Sequence, residues 1–374
     1  MFNKELTTTE IVPSRPAVSI IVPARNEEAC LGACLESLTT QTGVAFEVIV
    51  VDDHSTDRTR EIALSFPGVR LLEADPLPAG WTGKNNAVTC GAREANGEWL
   101  LFTDADTVHR PGSLARSLDE AKHQGAALLS YSPEQIVEGF WEKAVMPVIF
   151  AELAGQYRPS EVSDPHSPAA AANGQYILIT REAYDAVGGH TAVAGSLLED
   201  VALARAVKQS SRKIFFRYGG DAVCTRMYRS SAQLREGWTK NLALLFPSPV
   251  LLAMWRSLEF LLVMVCLASL VLALLGGDYR RAILYAAIPL VFFMRIRRAR
   301  FSWDANIVSL FGLPLFSYLL LRSKLFHERG NVSWKGRTYT PPPHIKKATR
   351  VSTSTSRKLR REVIREKSQL RTEN

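Results

Sequence analysis

The sequence predicts an α/β protein: a mostly parallel, doubly wound sheet of Rossmann-like form, followed by apolar segments of membrane-spanning length. Three observations carry this reading. Four short apolar runs alternate with helical patterns in the first 110 residues, as repeated strand–helix units do. Two of those runs end abruptly in paired carboxylates. Most of the excess apolar residues lie after Pro247.

The elements follow in order. Residues 17–23 (AVSIIVP) are a β-branched run closed by proline, the composition of a buried strand. Arg25-Asn26-Glu27-Glu28 then opens a helix on which Leu31, Leu35 and Leu38 recur at helical spacing. Residues 46–51 (FEVIVV) form a second strand, ending in Asp52-Asp53-His54-Ser55, and Asp57 is placed to cap the next helix. Residues 69–72 are a third strand. A Pro- and Gly-rich loop over 75–83 leads to a helix over 84–95. The fourth strand, 99–103, runs straight into Asp104-Ala105-Asp106.

In a parallel sheet both acidic pairs emerge on one edge, outside the carboxyl ends of the strands, where open α/β sheets bind ligands. A turn at Ala105 aims Asp106 outward and leaves Asp104 nearer the strand. Two hard oxygen ligands there suit Mg²⁺ or Mn²⁺, which take carboxylates together with substrate phosphates. Two acidic clusters on one rim repel unless a cation or hydrogen-bond donors lie among them. A metal-bound nucleotide diphosphate supplies both. Taken singly, the same acids also fit a solvated Asp-x-Asp turn and ordinary turn and capping residues.

The chain of 374 residues carries a net charge of +8, with basic residues concentrated in the last eighty positions and between the apolar segments. That distribution suits the anionic face of a membrane better than a nucleic-acid groove, and no nucleic-acid partner is expected. Five scattered cysteines without metal-binding spacing point to a reducing compartment. Residues 1–16 are polar, with no apolar stretch of signal-peptide type.

Residues 257–275 are almost wholly apolar and long enough to span a bilayer. Residues 282–294 are shorter, and 306–321 are broken by Gly312 and Pro314. Arg280, Arg281, Arg295, Arg297, Arg298 and Arg300 flank them, and basic loops favour the cytoplasmic side. Three simple crossings cannot put the Arg295–Arg300 loop, the tail and the preceding domain all on that side. A re-entrant third segment is one solution. The expectation is a multi-pass protein of the cell membrane with its catalytic domain cytoplasmic.

VSIIVPARNEE, VIVVDDHSTDRT, GWTGKNNA and FTDADT, in that order, resemble the family 2 glycosyltransferases of GT-A fold. GWTGKNNA is similar to the ceramide and carotenoid-acid glucosyltransferases. AYDAVGGH, LLEDVALARAVK, MY, EGWTKN and VSWKGRTY look most like the bacterial carotenoid-acid and hopanoid-associated group. The resemblance implies a flexible N-terminus (1–16) and a GT-A domain (17–245), divided into a nucleotide-sugar half (17–110) and an acceptor half (111–245). A membrane region of about three apolar segments (246–326) and a basic cytoplasmic tail (327–374) follow.

Carried over residue by residue, the resemblance implies that Pro23, Arg25 and Glu27 border the nucleobase and ribose, and that Asp53 holds one of them. Lys84 approaches the diphosphate or donor sugar. Asp106 ligates Mg²⁺ or Mn²⁺, with Asp104 supporting the metal or binding the ribose. A UDP-sugar is the favoured donor and a lipid the acceptor.

In the acceptor half, residues 140–157 read as an interfacial helix in preference to a core helix, and 175–180 as a strand. Glu199 and Asp200 stand at a helix start, where first-turn acids are also ordinary. Inverting transfer needs one base to take the acceptor hydroxyl's proton. The resemblance puts that base at Asp200, with Glu199, His190, Gln233 and Trp238 supporting or facing the acceptor, and Arg235 or Lys240 near the phosphates. Processive members carry Gln-x-x-Arg-Trp, whereas this chain has Gln233-Leu-Arg-Glu-Gly-Trp238, one residue longer. That departure favours transfer of a single sugar. A polyprenyl-phosphate or polysaccharide-type glycosyltransferase and a non-catalytic membrane scaffold are the alternatives.

Overall fold

The computed structural model describes residues 16–339. Expectations for residues 1–15 and for the tail beyond Tyr339 lie outside the described residues. Strands β1 (Val18–Ala24), β2 (Phe46–Asp52), β3 (Val69–Glu73) and β4 (Trp99–Phe102) pair in parallel in the order β3-β2-β1-β4. Then come β5 (Thr107–His109), β6 (Leu128–Ser132), β7 (Glu134–Gln135), β8 (Ile177–Thr180), β9 (Ile214–Tyr218) and β10 (Val223–Thr225). The main sheet continues β4-β8-β6-β9, with β8 antiparallel to both neighbours and β6 parallel to β9. The sheet is therefore mostly parallel, with β8 as its one reversed strand. Strands β5, β10 and β7 form a separate small sheet.

The helices are α1 (Leu31–Thr39), α2 (Thr59–Leu64), α3 (Gly83–Glu94), α4 (Ser113–Gln124), α5 (Phe140–Gln156), α6 (Pro159–Ser163), α7 (Arg181–Ala186), α8 (Glu199–Gln209), α9 (Ser231–Leu245), α10 (Pro249–Leu275), α11 (Tyr279–Ile296), α12 (Trp303–Val308) and α13 (Gly312–Arg329). Alternate residues of the central strands feed two cores, one on each face of the sheet. Ile21, Ile49, Val51, Leu100 and Phe102 pack with α3 and α8, and Ile20, Val22, Val48, Val50 and Leu101 with α1 and α4. Burial on both faces explains why these strands read as continuous apolar runs.

Two local expectations need correction. The helix after β1 begins at Leu31, not Arg25. Asn26 takes a positive φ of 53°, and the amides of Asn26, Glu27 and Glu28 bond to the side chains of Ser55, Thr59 and Asp57. Side chains of the β2–α2 loop thus satisfy these donors in place of a helical turn. Residues 140–157 are the core helix α5: Val145, Met146, Val148 and Ile149 are buried in a third cluster with α9, α10, α11 and α13, leaving Phe140 and Trp141 exposed.

The C-terminal helices also differ from the three-segment reading. Among the described residues two stretches, Pro249–Leu275 and Trp303–Arg329, are long and apolar enough to cross a membrane. Arg295, counted above as a loop cation, lies in α11 and bonds Glu152 of α5 (3.0 Å) and Glu259 of α10 (2.8 Å), as Arg256 also does. Gly312 lies where α13 begins, against the backbone of α5, and a Cβ there would collide with the Ala144 carbonyl oxygen. The glycine serves this close crossing of two helices. Finally, α13 runs on to Arg329, and a hairpin of β11 (Val332–Trp334) and β12 (Arg337–Tyr339) follows. Residues 327–339 therefore belong to the folded body, not to a free tail.

Candidate functional site

The carboxyl ends of β1, β2 and β4 open on one cavity of about 780 Å³. Pro23 lines it at the end of β1, with Arg25 and Glu27 in the turn beyond. Asp53 follows β2, and its amide bonds the Ala24 carbonyl (2.8 Å), so the two strand ends are tied together. Arg25 closes the same corner by donating to the Asp53 carbonyl oxygen (2.6 Å). Lys84 enters from the first turn of α3, whose N-cap Thr82 accepts from the Asn85 amide. Asp104 and Asp106 enter from the turn after β4.

Glu199 and Asp200, in the first turn of α8, line the opposite wall with Gln233 and Trp238 of α9. Of the fourteen residues to which the resemblance gives a role, twelve, Lys240 among them, share one cavity, and Arg235 does not line it. His190 does not line it either. Its ring is buried under the site, edge-on to Phe102 and bonded through Nδ1 to the Tyr184 hydroxyl (3.0 Å). Burial holds its pKa down at about 4, which leaves a neutral packing group. Trp238 is nearly closed off, its indole N–H on the Met146 sulfur (3.4 Å), and Gln233 accepts from the Arg229 amide (2.9 Å).

The electrostatics separate the acids. Lys84 bridges Asp104 (2.7 Å) and Glu199 (2.8 Å), joining the turn after β4 to the first turn of α8. Burial alone would lower its pKa, but the two carboxylates raise it well above the ordinary value. Burial pushes the Glu199 carboxyl up, yet Lys84 and Lys240 outweigh this and hold it below its usual range. Among the described residues its neighbour Asp200 has no such partner, and its oxygens accept from the Gly174 amide (3.0 Å) and the Val201 amide (2.8 Å). Burial, reinforced by the Glu199 charge, raises its pKa to about 6. Adjacent positions on a helix point about 100° apart, which is why one acid pairs and the other is left to the cavity.

Asp106 is the other carboxylate without a cation. Burial and the charges of Asp104 and Glu27 raise its pKa, and among the described residues no basic side chain pairs with it. A carboxylate so placed fits a cation ligand. No group of three His, Cys, Asp or Glu side chains among the described residues is set to hold a metal ion. Magnesium and manganese do not need such a cage, since substrate phosphates and water complete their shell.

Beyond the acids the cavity wall includes an apolar and aromatic part, Phe150 and Leu153 of α5 with Tyr157, Phe216 and Leu245, beside the basic Arg226, Arg298 and Arg300. Lys240 lies 5.2 Å above the Trp334 ring, and burial lowers its pKa.

Residues 19–184 match the family described as glycosyl transferase family 2. The chain is a glycosyltransferase with a family 2 domain. It is similar, at 29% identity covering 91% of this chain and 93% of the relative, to the 4,4'-diaponeurosporenoate glycosyltransferase of Staphylococcus aureus strain N315, and equally to that of strain USA300. Among solved structures it is similar to the mannosyltransferase PcManGT of Pyrobaculum calidifontis, in complex with GDP-Man and Mn²⁺. That likeness has a TM-score of 0.48 and 16% identity, and covers 84% of this chain and 87% of the other. In this glycosyltransferase, the residues that sequence reasoning assigned no role are Lys335 and Arg337. They lie on Glu27 and Asp53, within the VSWKGRTY segment quoted above.

Proposed function

We propose that this glycosyltransferase moves one sugar, with inversion, from a nucleotide-diphosphate sugar to a hydroxyl or carboxyl of a lipid-like acceptor at a membrane, with Asp200 as base. The observation that carries this is the division of one cavity. Acids and Lys84 at the strand ends share it with the apolar and aromatic side chains of Phe150, Leu153, Tyr157, Phe216 and Leu245, and Asp200, with a pKa of about 6, lines it as well. A base is most useful when its pKa lies near the working pH.

In this reading Asp53, Glu27 and Arg25 hold the nucleoside, and Lys84 meets the diphosphate as a point charge. A divalent cation held by Asp106, with Asp104, would offset the charge that gathers on the departing diphosphate. Asp200 takes the proton of an acceptor hydroxyl as its oxygen attacks the anomeric carbon from the face opposite the diphosphate. The phosphate leaves as an anion, so no second acid is needed. An acceptor carboxylate is already ionised and would need no base, so the loss caused by Asp200→Asn also reads the acceptor's class.

The membrane reading is supported by α10 and α11. Leu251, Met254, Trp255, Leu258, Leu261 and Val265 of α10, and Ile283, Leu284, Leu290 and Val291 of α11, are exposed. So wide an apolar surface is uncommon on a protein bathed in water. The relative's printed name, a glycosyltransferase of a carotenoid acid, supports a long apolar acceptor. The test is to incubate purified protein with UDP- and GDP-sugars and lipid extract, and to follow nucleotide release. Release that neither needs lipid nor yields a lipid-linked sugar would refute the acceptor.

A further inference from the structure

Lys335 and Arg337 reach the donor site from the far end of the described chain. Arg337 spans the Asp53 carboxylate, Nη2 donating to Oδ1 (2.9 Å) and Nη1 to Oδ2, and neither side chain is more than a fifth exposed. Lys335 donates to the Glu27 carboxylate and to the Arg25 carbonyl oxygen (3.1 Å). The hairpin that carries them turns through Lys335 and Gly336, both at positive φ, and is rooted by Val332, which is fully buried.

The placement is awkward for a mere staple. A Cβ at position 83 would collide with Arg337 Nη1, so the guanidinium has room only because residue 83 is glycine. It therefore lies against the first turn of α3, where unbonded amides disfavour a cation. Asp53 is what holds it there. Yet if Asp53 and Glu27 receive the hydroxyls and N–H groups of a nucleoside, as the proposed function has it, their oxygens cannot also stay occupied by Arg337 and Lys335.

We propose that the hairpin Val332–Tyr339 is part of the donor site, and that Arg337 and Lys335 bind the donor's diphosphate once the nucleoside displaces them from Asp53 and Glu27. The inference rests on the donor half of the proposed function. In the empty site the two cations neutralise acids that would otherwise repel. With donor bound, each trades one carboxylate for phosphate oxygens, and a planar guanidinium suits that exchange because it donates in pairs. Lys84 then faces the same phosphates from α3. The site thus takes a nucleoside diphosphate, and the hairpin reads its phosphates rather than its base.

The test is calorimetric titration of the full chain in detergent with Mg²⁺, using UDP, GDP, uridine and guanosine. Wild type, Arg337→Ala, Arg337→Lys and Lys335→Ala are compared. Whichever diphosphate the wild type binds, Arg337→Ala should bind it about 10–100-fold more weakly, the worth of one lost charged hydrogen-bonding group. Binding of the matching nucleoside should be unchanged or tighter, because a competitor for Asp53 is gone. Arg337→Lys should recover part of the diphosphate affinity, and it carries the same comparison if the alanine variant does not fold. An equal loss for nucleoside and diphosphate would make the hairpin a structural staple and overturn the proposal. A gain for both would make it a plug, and no change would remove it from the site. A wild-type protein that binds neither diphosphate defeats the donor reading itself, and the hairpin's role with it.

Discussion

Asp200 accepts from two backbone amides and, among the described residues, pairs with no cation, so its carboxylate is free to take a proton. Asp200→Asn keeps shape and most hydrogen bonding but cannot accept that proton. Transfer to a hydroxyl should then fall about 10²–10⁴-fold in kcat, with donor affinity nearly unchanged. A near-wild-type rate would place the base elsewhere. Glu199→Gln should cost less, because Lys84 keeps its bond to Asp104. The pH dependence has a definite sign. The base works ionised, and burial with the Glu199 charge sets its pKa at about 6. The rate should level off above that pH and drop about tenfold per unit well below it. A profile flat to pH 4.5 would contradict the assignment. Asp106, a half-buried carboxylate with no basic partner among the described residues, gives the metal prediction: excess EDTA and Asp106→Ala should each abolish turnover, and full activity in EDTA would refute it.

Among the elements, the crossing of α5 and α13 depends on Gly312 having no side chain. Gly312→Val should lower the thermal midpoint in detergent, at a cost of about 1–3 kcal/mol or more, because backbone must shift to admit it. An unchanged midpoint would show that the helices are not so close. This same glycine looked like a break in an apolar segment when only the sequence was considered, since nothing local says what approaches it. The first four strands were legible because burial on both faces writes itself as short apolar runs, and the acids at their ends were legible because strand direction fixes where they emerge. The turn over residues 25–30 was not, since its amides are held by side chains some thirty residues later. Nor were Lys335 and Arg337 legible as site residues, because partners 308 and 284 positions away leave no periodic trace. His190 was misplaced because a buried histidine and a site histidine look alike without Tyr184 and Phe102 beside it.

At the scale of the whole molecule, Lys84 joins the turn after β4 to the first turn of α8 through Asp104 and Glu199, while α5 lines the cavity and packs on α9 and α13. The candidate site is therefore built directly against the apolar helices, an arrangement that would suit the proposed lipid acceptor. The protein should remain with membranes through alkaline carbonate washing, and release by that wash would argue against a spanning segment. The central claim is that one sugar passes from a nucleotide diphosphate to a membrane lipid. Mass spectrometry of a lipid extract, after incubation with purified protein, UDP- or GDP-sugar and Mg²⁺, tests it most directly. The account predicts one lipid class heavier by a single sugar residue, absent without protein and strongly reduced with Asp200→Asn if the acceptor is a hydroxyl. A ladder of added sugars, or nucleotide release with no glycosylated lipid, would contradict it.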